Sequence, residues 1–435
     1  MSFEASEMRL RNTRRAKSFL AALVLVLLSA GSISVRANEA PKDSSESGQK
    51  WVPTWASAQQ TAAPSDLPSI KFNNVTVRQI VHVSAGGKRL RVRLSNLFGD
   101  APVEISGATV ALSDGGSSIK TSTSKQLKFG GKDGVTIPAG AVSASDPLDF
   151  KLPELANVAI TIHVVNGPNL ITSHPGSRTT SYLLAGNELS VADFKDPIKI
   201  DRWYFITGLE IKPKHDARAV AILGDSITDG RGTTTNGNDR WPDQLSKRLR
   251  ADKKTKDIAV LNMGIGGNRL LRDGLGPSAV SRLERDVLQQ AGVRWLIVLE
   301  GVNDIGTRLS AKKKGETWAS AEDIIDGYKQ IVARAHAQGI KVYGATITPF
   351  GGSFYAEPDT VEDRNKINNW ILTSGAFDGV IDLAKATCDP ARPDYLLAAY
   401  DSGDHLHLNP AGYAAMGEAV DLSLFGGKNA PSAAK

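Results

Sequence analysis

Four short polar segments carry side chains that could do covalent chemistry. Ser226 stands in the first, residues 224–226, directly after the unbroken apolar run 219–223 that is typical of a buried strand. A serine at the end of such a strand can act as a nucleophile when a general base and an anion-stabilising pocket lie nearby. Alone, it could equally be a turn residue that caps the next helix, so the interpretation depends on its partners.

The base is expected near the C-terminus. His405 and His407 both lie there, and an imidazole accepts a serine proton when a carboxylate such as Asp404 orients it. His407 is the better candidate, because the adjacent side chains of Asp404 and His405 do not easily face each other in an extended chain. Asn409 and Pro410 are typical of a helix start, which brings His407 to a helix entrance.

Donors for an oxyanion are predicted in the glycine-rich residues 262–268 and in residues 300–304, where Asn303 offers a side-chain amide. The glycines could instead cradle a phosphate, but their spacing fits neither a dinucleotide-binding motif nor a P-loop. The two histidines have no third ligand at suitable spacing, so no metal site is predicted. The chain also has no Gly-x-Ser-x-Gly motif, which argues against the usual α/β-hydrolase fold.

Residues 213–425 alternate between predicted strands and helices, the pattern of a parallel sheet with helices on both faces. The clearest helix spans 321–338, with an apolar stripe and Gly339 as its stop signal. The carboxyl ends of parallel strands meet at one edge of a sheet, so the segments that follow them are expected to converge there. The predicted strands are 219–223, 258–262, 295–299, 340–346 and 379–383.

Residues 51–212 have apolar residues at every second position, with frequent turn signals between short runs. This pattern predicts an antiparallel β-sandwich domain, jelly-roll-like in type. Gly86 and Gly87 are predicted to form a hairpin turn before the alternating strand 88–94. Such a domain could be a carbohydrate-binding module or a packing partner that shapes one wall of the active site, and the sequence does not separate these roles.

The N-terminus has the features of a secretory signal peptide over residues 1–37: basic residues, then an apolar or small run from 19 to 35, then a small-residue cleavage site. A membrane anchor is the weaker alternative, because glycine and serine residues interrupt the run. Residues 38–50 are predicted to be a disordered lead-in, and residues 426–435 a flexible tail. The mature protein is expected to be secreted or periplasmic, by an export route that the sequence does not identify.

The composition excludes several classes of function. The 435-residue chain has a net charge of +6, but residues 1–37 hold six basic and two acidic residues, so the rest carries only about +2. No nucleic-acid partner and no membrane partner of the mature form are therefore predicted. Cys388 is the sole cysteine, so no intramolecular disulfide can form. The oligomeric state is not readable from the sequence.

The four segments together resemble blocks I, II, III and V of the SGNH (GDSL-type) hydrolases, over about residues 213–425. This resemblance implies a flavodoxin-like three-layer αβα domain, a Ser–His–Asp triad and no metal or organic cofactor. The matching residues are the Gly-Asp-Ser of 224–226, Gly267, the Gly-x-Asn-Asp of 301–304 and the Asp-x-x-His of 404–407. Carried over to this sequence, Ser226 is the nucleophile, His407 the base and Asp404 its partner. The oxyanion donors would be the N–H groups of Ser226 and Gly267 and the side chain of Asn303.

Wider stretches are similar to bacterial arylesterases and acylhydrolases associated with xylan degradation. Under that resemblance, four residues would contact the substrate: Arg240, Trp241, Asp304 and Phe354. The sequence then predicts an esterase that removes short acyl groups, acetyl above all, from a small-molecule or polysaccharide ester. A lipid or phospholipid acylhydrolase, and a catalytically dead polysaccharide-binding protein, are the alternatives left open.

Overall fold

The computed structural model describes residues 50–213 and 217–426. The predicted signal peptide at 1–37, the lead-in except for Lys50, and the tail except for Gly426 lie outside the described residues. We call residues 50–213 the N-terminal part and residues 217–426 the C-terminal part. In the described part of the chain, none of the helices combines the length and the apolar character that a membrane span requires.

Strands dominate the N-terminal part, whereas strands and helices alternate in the C-terminal part. The strands of the N-terminal part are β1 (Val52–Ala56), β2 (Gln60–Thr61), β3 (Asn73–His82), β4 (Gly87–Ser95), β5 (Val103–Gly115), β6 (Ser118–Ile119), β7 (Lys125–Gln126), β8 (Val135–Ile137), β9 (Val142–Ala144), β10 (Leu148–Leu152), β11 (Asn157–Asn166), β12 (Thr172–His174), β13 (Ser181–Ala185), β14 (Ile198–Ile200), β15 (Trp203–Tyr204) and β16 (Ile206–Lys212). Those of the C-terminal part are β17 (Arg218–Gly224), β18 (Ile258–Gly264), β19 (Val293–Leu299), β20 (Lys341–Ala345), β21 (Gly379–Ile381), β22 (Cys388–Asp389) and β23 (Arg392–Leu396). The helices are α1 (Ser226–Asp229), α2 (Trp241–Ala251), α3 (Ala279–Leu283), α4 (Val302–Gly306), α5 (Arg308–Lys314), α6 (Ala321–Ala337), α7 (Pro358–Thr373), α8 (Leu383–Thr387) and α9 (Pro410–Ala419).

Antiparallel sheets form the N-terminal part. One sheet has the order β1-β16-β4-β10, with β9 beside β4, and another has the order β14-β13-β3-β11-β5-β6, with β7 and β8 beside β5. A small sheet, β15-β12-β2, joins loops at one end. The alternation predicted for 88–94 is confirmed, because Leu90, Val92 and Leu94 are buried while the arginines between them are partly exposed.

The hairpin predicted at Gly86 and Gly87 is wrong. β3 pairs with β11 and β13, whereas β4 pairs with β9, β10 and β16, so the chain changes sheets at these glycines. A Cβ on Gly86 would lie 2.6 Å from the carbonyl oxygen of Leu152. The glycine is therefore needed for close backbone approach at the crossing, and a glycine pair in sequence does not distinguish that need from a tight turn.

The C-terminal part contains a parallel sheet with the order β18-β17-β19-β20-β21. All five predicted strands are present, with ends that differ by no more than two residues. The first strand of the sheet, β17, thus lies between the second and the third. At such a reversal of strand order, the loops after the strands diverge and leave a crevice at the carboxyl edge, which is where ligands bind in open α/β sheets.

Helix α6 confirms the predicted helix 321–338 to within one residue. Ser320 caps it, since its hydroxyl accepts from the N–H of Asp323 while the Asp323 carboxylate accepts from the N–H of Ser320. Its buried stripe packs on the sheet, and Gly339 follows with a φ of +69°.

The N-terminal part covers the outer edge of the parallel sheet. The hydroxyl of Ser84 accepts a hydrogen bond of 3.0 Å from the N–H of Val260, in the edge strand β18, and donates to the carbonyl oxygen of Thr54 in β1. A Cβ on Gly292 would lie 2.9 Å from Val52, so β1 also packs closely on the loop before β19. The two parts belong to a single packed unit. The domain boundary at 212/213 stays a prediction.

Candidate active site

Ser226 lies at the start of α1, two residues beyond the end of β17. Asp225 caps this one-turn helix, because its carboxylate accepts a 2.8 Å hydrogen bond from the N–H of Ile227. Gly224 has no room for a side chain, since a Cβ would lie 2.2 Å from the hydroxyl of Thr228. The strand, the glycine and the cap together hold the Ser226 hydroxyl at the carboxyl edge of the sheet.

The structure brings Ser226, His407 and Asp404 into one line. The Ser226 Oγ lies 2.8 Å from His407 Nε2, and His407 Nδ1 lies 2.7 Å from Asp404 Oδ2. Because the carboxylate can only accept, Nδ1 carries the proton and Nε2 is free to accept from the serine hydroxyl. The N–H groups of Leu406 and His407 donate to the other oxygen of Asp404, at 3.1 and 2.8 Å, and so fix the carboxylate.

His405, the other candidate base, is exposed, and its ring contacts Asp401 rather than Asp404 or Ser226. Its backbone has a φ of +60°, and its Nδ1 is 2.5 Å from the carboxylate of Asp401. Asn409 caps α9 as predicted, through a 3.0 Å hydrogen bond from the N–H of Gly412, and Pro410 begins the helix. His407 is therefore held by the turn before a capped helix entrance.

The surroundings of Asp404 and His407 lower the pKa of both groups. Burial raises the pKa of Asp404, but the hydrogen bonds from the backbone and ring of His407, and the charge of His407, together lower it to about 2. Burial lowers the pKa of His407 despite the opposing effect of Asp404. At neutral pH the pair is a carboxylate beside a neutral imidazole, which is the protonation state that a general base requires.

The three residues predicted to donate to the oxyanion, Ser226, Gly267 and Asn303, line one cleft with His407. Among the described residues, the backbone N–H groups of Ser226 and Gly267 have no protein acceptor. Gly267 adopts a φ of +71°, a left-handed conformation that favours glycine, and a Cβ there would lie 2.6 Å from Cδ1 of the exposed Leu275 and displace it.

The Asn303 amide is oriented by its neighbours. Its Oδ1 accepts a 2.9 Å hydrogen bond from the hydroxyl of Tyr355, and its Nδ2 donates to the carbonyl oxygen of Asn268 at 2.8 Å. Since an amide nitrogen carries two hydrogens, one N–H of Asn303 is left to face the cleft. Tyr355 lies in the aromatic loop 350–355, but its role in fixing the amide was not foreseen from the sequence.

Residues 222–415 match the GDSL-like Lipase/Acylhydrolase family, and this segment contains all five of the residues discussed above: Ser226, Gly267, Asn303, Asp404 and His407. The chain is an SGNH-type ester hydrolase. No curated protein gives a significant match to the sequence.

Several solved structures resemble a part of the hydrolase. The acetyl xylan esterase AlAXEase is 22% identical, and the match covers 46% of this chain and 96% of that protein with a TM-score of 0.35. The lipase/acylhydrolase from Enterococcus faecalis is 18% identical over 48% of this chain and 95% of its own, with a TM-score of 0.38. The aryl esterase of M. smegmatis is 17% identical over 47% of this chain and 96% of its own, with a TM-score of 0.36.

A fully buried arginine, Arg282, joins the strand ends beneath the site of the hydrolase. Its guanidinium donates to the carbonyl oxygens of Gly224, at 3.0 Å, and Met263, at 2.6 Å, at the ends of β17 and β18. It also bonds to Glu300, directly after β19, at 3.3 Å and to Asp286 at 3.0 Å. One side chain thus holds the three strands that carry Ser226, Gly267 and Asn303. The sequence offers no local signal for this role.

The predicted substrate contacts of the hydrolase fall in different places. Phe354 lines the cleft, with 66% of its surface exposed. Asp304 is buried and accepts from the N–H groups of Leu270 and Leu271, so it holds the loop after β18. Arg240 and Trp241 are buried, and neither is among the described residues that line the cleft. A contact of these three residues with substrate stays a prediction that the structure does not support.

The cleft of the hydrolase has a volume of about 420 Å³, and the N-terminal part supplies one of its walls. Gln60, Asp66, Arg178 and Arg202 come from that part, opposite residues of the catalytic edge. A Cβ on Gly176 would lie 1.6 Å from the carboxylate of Asp229, so the loop after β12 presses directly on α1. The N-terminal part therefore lies where a packing partner that shapes one wall of the active site is expected.

His174 ties the same loop to α1. Its Nδ1 lies 2.7 Å from the carbonyl oxygen of Ala58, and its Nε2 lies 2.9 Å from the carboxylate of Asp229. The contact joins residues 55 positions apart, so no sequence pattern could reveal it.

Over residues 50–213 and 217–426, no group of three or more His, Cys, Asp or Glu side chains is arranged to hold a metal ion.

Proposed function

We propose that this hydrolase is a serine esterase that removes short acyl groups, acetyl above all, from carbohydrate or similar alcohols. The observation that carries the proposal is the line from the Ser226 hydroxyl through the His407 ring to the Asp404 carboxylate, with contacts of 2.8 and 2.7 Å. A hydroxyl, a neutral imidazole and a carboxylate in this order are the parts that acyl transfer through a covalent intermediate requires.

In the proposed mechanism, the Ser226 Oγ attacks the carbonyl carbon of the ester while His407 Nε2 takes the hydroxyl proton. The negative charge on the carbonyl oxygen is stabilised by the N–H groups of Ser226 and Gly267 and by the amide of Asn303. The C–O bond to the alcohol then breaks, and His407 returns the proton to the leaving oxygen. Water, deprotonated by His407, attacks the acyl-serine; the bond from the acyl carbon to Ser226 Oγ breaks, the carboxylic acid leaves, and His407 returns the proton to Oγ. Asp404 stays ionised and stabilises the imidazolium in both halves.

Asn303→Ala is expected to lower kcat by on the order of 10²- to 10³-fold with little change in KM, because the amide acts mainly on the oxyanion of the transition state. Tyr355→Phe is the matched control. It keeps the amide but removes the hydroxyl that orients Oδ1, so a smaller loss is expected. Steady-state kinetics on 4-nitrophenyl acetate measure both. A loss in Asn303→Ala that appears in KM alone would contradict the proposed role.

The lining of the cleft supports a short acyl group and a polar alcohol. Arginine, aspartate, glutamine and serine side chains form much of it, and such a lining would have to be desolvated to bury a long alkyl chain. One observation favours the lipid acylhydrolase alternative, because Leu275 and Phe354 stand at the cleft with 64% and 66% of their surfaces exposed. These two apolar side chains could contact either an acyl chain or the face of a sugar ring.

A series of 4-nitrophenyl esters from acetate to dodecanoate separates the two candidates. We expect kcat/KM to be highest for acetate or propionate and to fall with each longer chain, and acetate to be released from acetylated xylan or pectin. Maximal activity on the long-chain esters would replace the proposal by the lipid acylhydrolase. Absence of hydrolysis across the whole series would leave the polysaccharide-binding alternative.

The remaining parts of the proposal rest on the sequence and on the position of the N-terminal part. Residues 1–37 support secretion, to the medium or the periplasm. We propose that residues 51–212 are a β-sandwich domain whose role is to build one wall of the cleft, since Arg178 and Arg202 of that domain line it. The order of the parallel sheet supports a flavodoxin-like three-layer domain over residues 213–425.

A further inference from the structure

Three arginines line the catalytic cleft: Arg178 and Arg202 in the N-terminal part, and Arg231 in the loop after α1. Arg231 directly follows the turn that carries the nucleophile, because its backbone N–H donates to the carbonyl oxygen of Ser226 at 2.9 Å. The positive charges therefore flank the reacting hydroxyl from both parts of the chain.

Among the described residues, Arg202 alone of the three arginines has a carboxylate within hydrogen-bond distance. Arg202 Nε donates to Asp66 at 3.0 Å, which balances that charge. The nearest carboxylate oxygen to Arg178 belongs to Asp229, at 3.9 Å. Arg231 is exposed, and its side chain meets no carboxylate or carbonyl oxygen in the part of the chain that the structure describes.

Asp229 is held by His174, whose ring lies closer to its carboxylate than Arg178 does. The two ring nitrogens of His174 face acceptors, the carbonyl oxygen of Ala58 at 2.7 Å and the carboxylate of Asp229 at 2.9 Å. The carboxylate oxygen of Asp229 that faces Arg178 is 3.9 Å from the guanidinium, beyond hydrogen-bond distance, so Asp229 leaves Arg178 available to a ligand.

Arg178 is also held in place before any ligand arrives. Its backbone lies in the left-handed region, with a φ of +49°, where side chains other than glycine, asparagine and aspartate are uncommon. Asn236 fixes it from the C-terminal part: the N–H of Asn236 donates to the carbonyl oxygen of Arg178, and the Asn236 side chain bonds to Thr180. Strain that the surroundings maintain at one cleft residue is typical of a binding position.

We propose that the cleft selects esters that carry a carboxylate on the alcohol, such as the acyl esters of an acidic sugar, and that Arg178 and Arg231 bind this carboxylate from opposite walls. The inference rests on the proposed esterase function and adds the class of alcohol. A guanidinium forms two parallel hydrogen bonds to a carboxylate, which gives orientation as well as affinity. Such binding would hold the alcohol while its acyl group faces Ser226.

The test compares two acetate esters of equal size, those of 4-hydroxybenzoate and 4-hydroxybenzamide, which differ in one negative charge. We expect the wild-type enzyme to prefer the anionic ester in kcat/KM, and this preference to weaken as salt is raised. Arg178→Gln and Arg231→Gln are each expected to lower the ratio of the two kcat/KM values by roughly 5-fold, mainly through KM of the anionic ester. The difference between the two leaving groups is common to every enzyme form, so it cancels when the ratio of a variant is divided by that of the wild type.

Two further sets of variants separate charge from structure. Arg178→Lys and Arg231→Lys keep the charge and should retain most of the preference, even where Arg178→Gln disturbs the strained backbone. Lys313→Gln removes one positive charge from an exposed site in α5, away from the cleft, and should leave the ratio unchanged. An equal loss for both esters in the Gln variants, or a wild-type enzyme with no preference for the anion, overturns the proposal.

The neutral ester keeps this test distinct from that of the esterase function. If the wild-type enzyme hydrolyses the neutral ester without preferring the anion, the esterase stands and the carboxylate site falls. If it hydrolyses neither ester, the esterase proposal fails and the inference fails with it.

Discussion

Ser226→Ala is expected to lower kcat on 4-nitrophenyl acetate by on the order of 10⁴- to 10⁶-fold. Among the described residues, Ser226 carries the only hydroxyl that hydrogen-bonds to the His407 ring, so without it no acyl-enzyme can form. The base and the oxyanion donors remain, but they would have to activate water directly, and a small residual rate above the uncatalysed reaction is expected. Measurement requires a continuous assay together with a mass spectrum of the enzyme after exposure to a diethyl phosphate ester, which should label the wild-type serine alone.

Ser246→Ala is the matched control for this loss. Ser246 is also a buried serine, in α2, but its hydroxyl has no hydrogen-bond partner among the described residues. Its removal should change neither the kinetics nor the labelling, because the hydroxyl makes no contact that folding or catalysis uses. Turnover in Ser226→Ala comparable to that of Ser246→Ala would end the assignment of the nucleophile.

Arg282→Met is expected to reduce the free energy of unfolding by about 3 to 5 kcal/mol. The variant leaves the carboxylate of Glu300 buried without its cation and removes the hydrogen bonds to Gly224 and Met263. Burial already raises the pKa of Glu300 well above its usual range, and the loss of Arg282 would raise it further, so the carboxyl can relieve part of the cost by taking up a proton. Urea denaturation followed by circular dichroism gives the difference.

Arg285→Met provides the comparison for Arg282. Arg285 lies one turn further along the chain and bonds to the same Asp286, but 27% of its side chain is exposed. Its replacement is expected to reduce the free energy of unfolding by roughly 1 kcal/mol or less, because solvent screens the pair and Asp286 keeps Arg282. Equal effects of the two substitutions would show that Arg282 does not hold the strand ends together.

The parallel sheet and the residues brought together at its edge could be predicted because local patterns encode them. A buried parallel strand is an unbroken apolar run, and a helix has an apolar stripe with a cap, so β17 and α6 were visible in short windows of sequence. The rule that strand ends meet then placed Ser226 and Asn303 at one edge. His407 is favoured over His405 because the side chains of the adjacent residues Asp404 and His405 do not easily face each other in an extended chain.

Contacts between distant segments could not be predicted in the same way. No sequence feature distinguishes Arg282 from other helix arginines, because its role depends on the position of its guanidinium beneath three strands. His174 lies in a loop without a periodic pattern. The error at Gly86 has the same origin, since a glycine needed for backbone proximity is indistinguishable from one in a tight turn. The resemblance to xylan-associated esterases implies that Arg240 and Trp241 contact the substrate, but both side chains are buried at the start of α2.

The hydrogen bond from Val260 to Ser84 has a consequence for any attempt to dissect the enzyme. A chain trimmed at residue 213 would present β18 as a bare edge with open N–H and C=O groups, ready to pair with another copy. Such a fragment is expected to aggregate, as soluble oligomers or inclusion bodies, rather than to give an active monomer. The N-terminal part thus protects the edge strand β18 and also lines the cleft, so its removal would affect both.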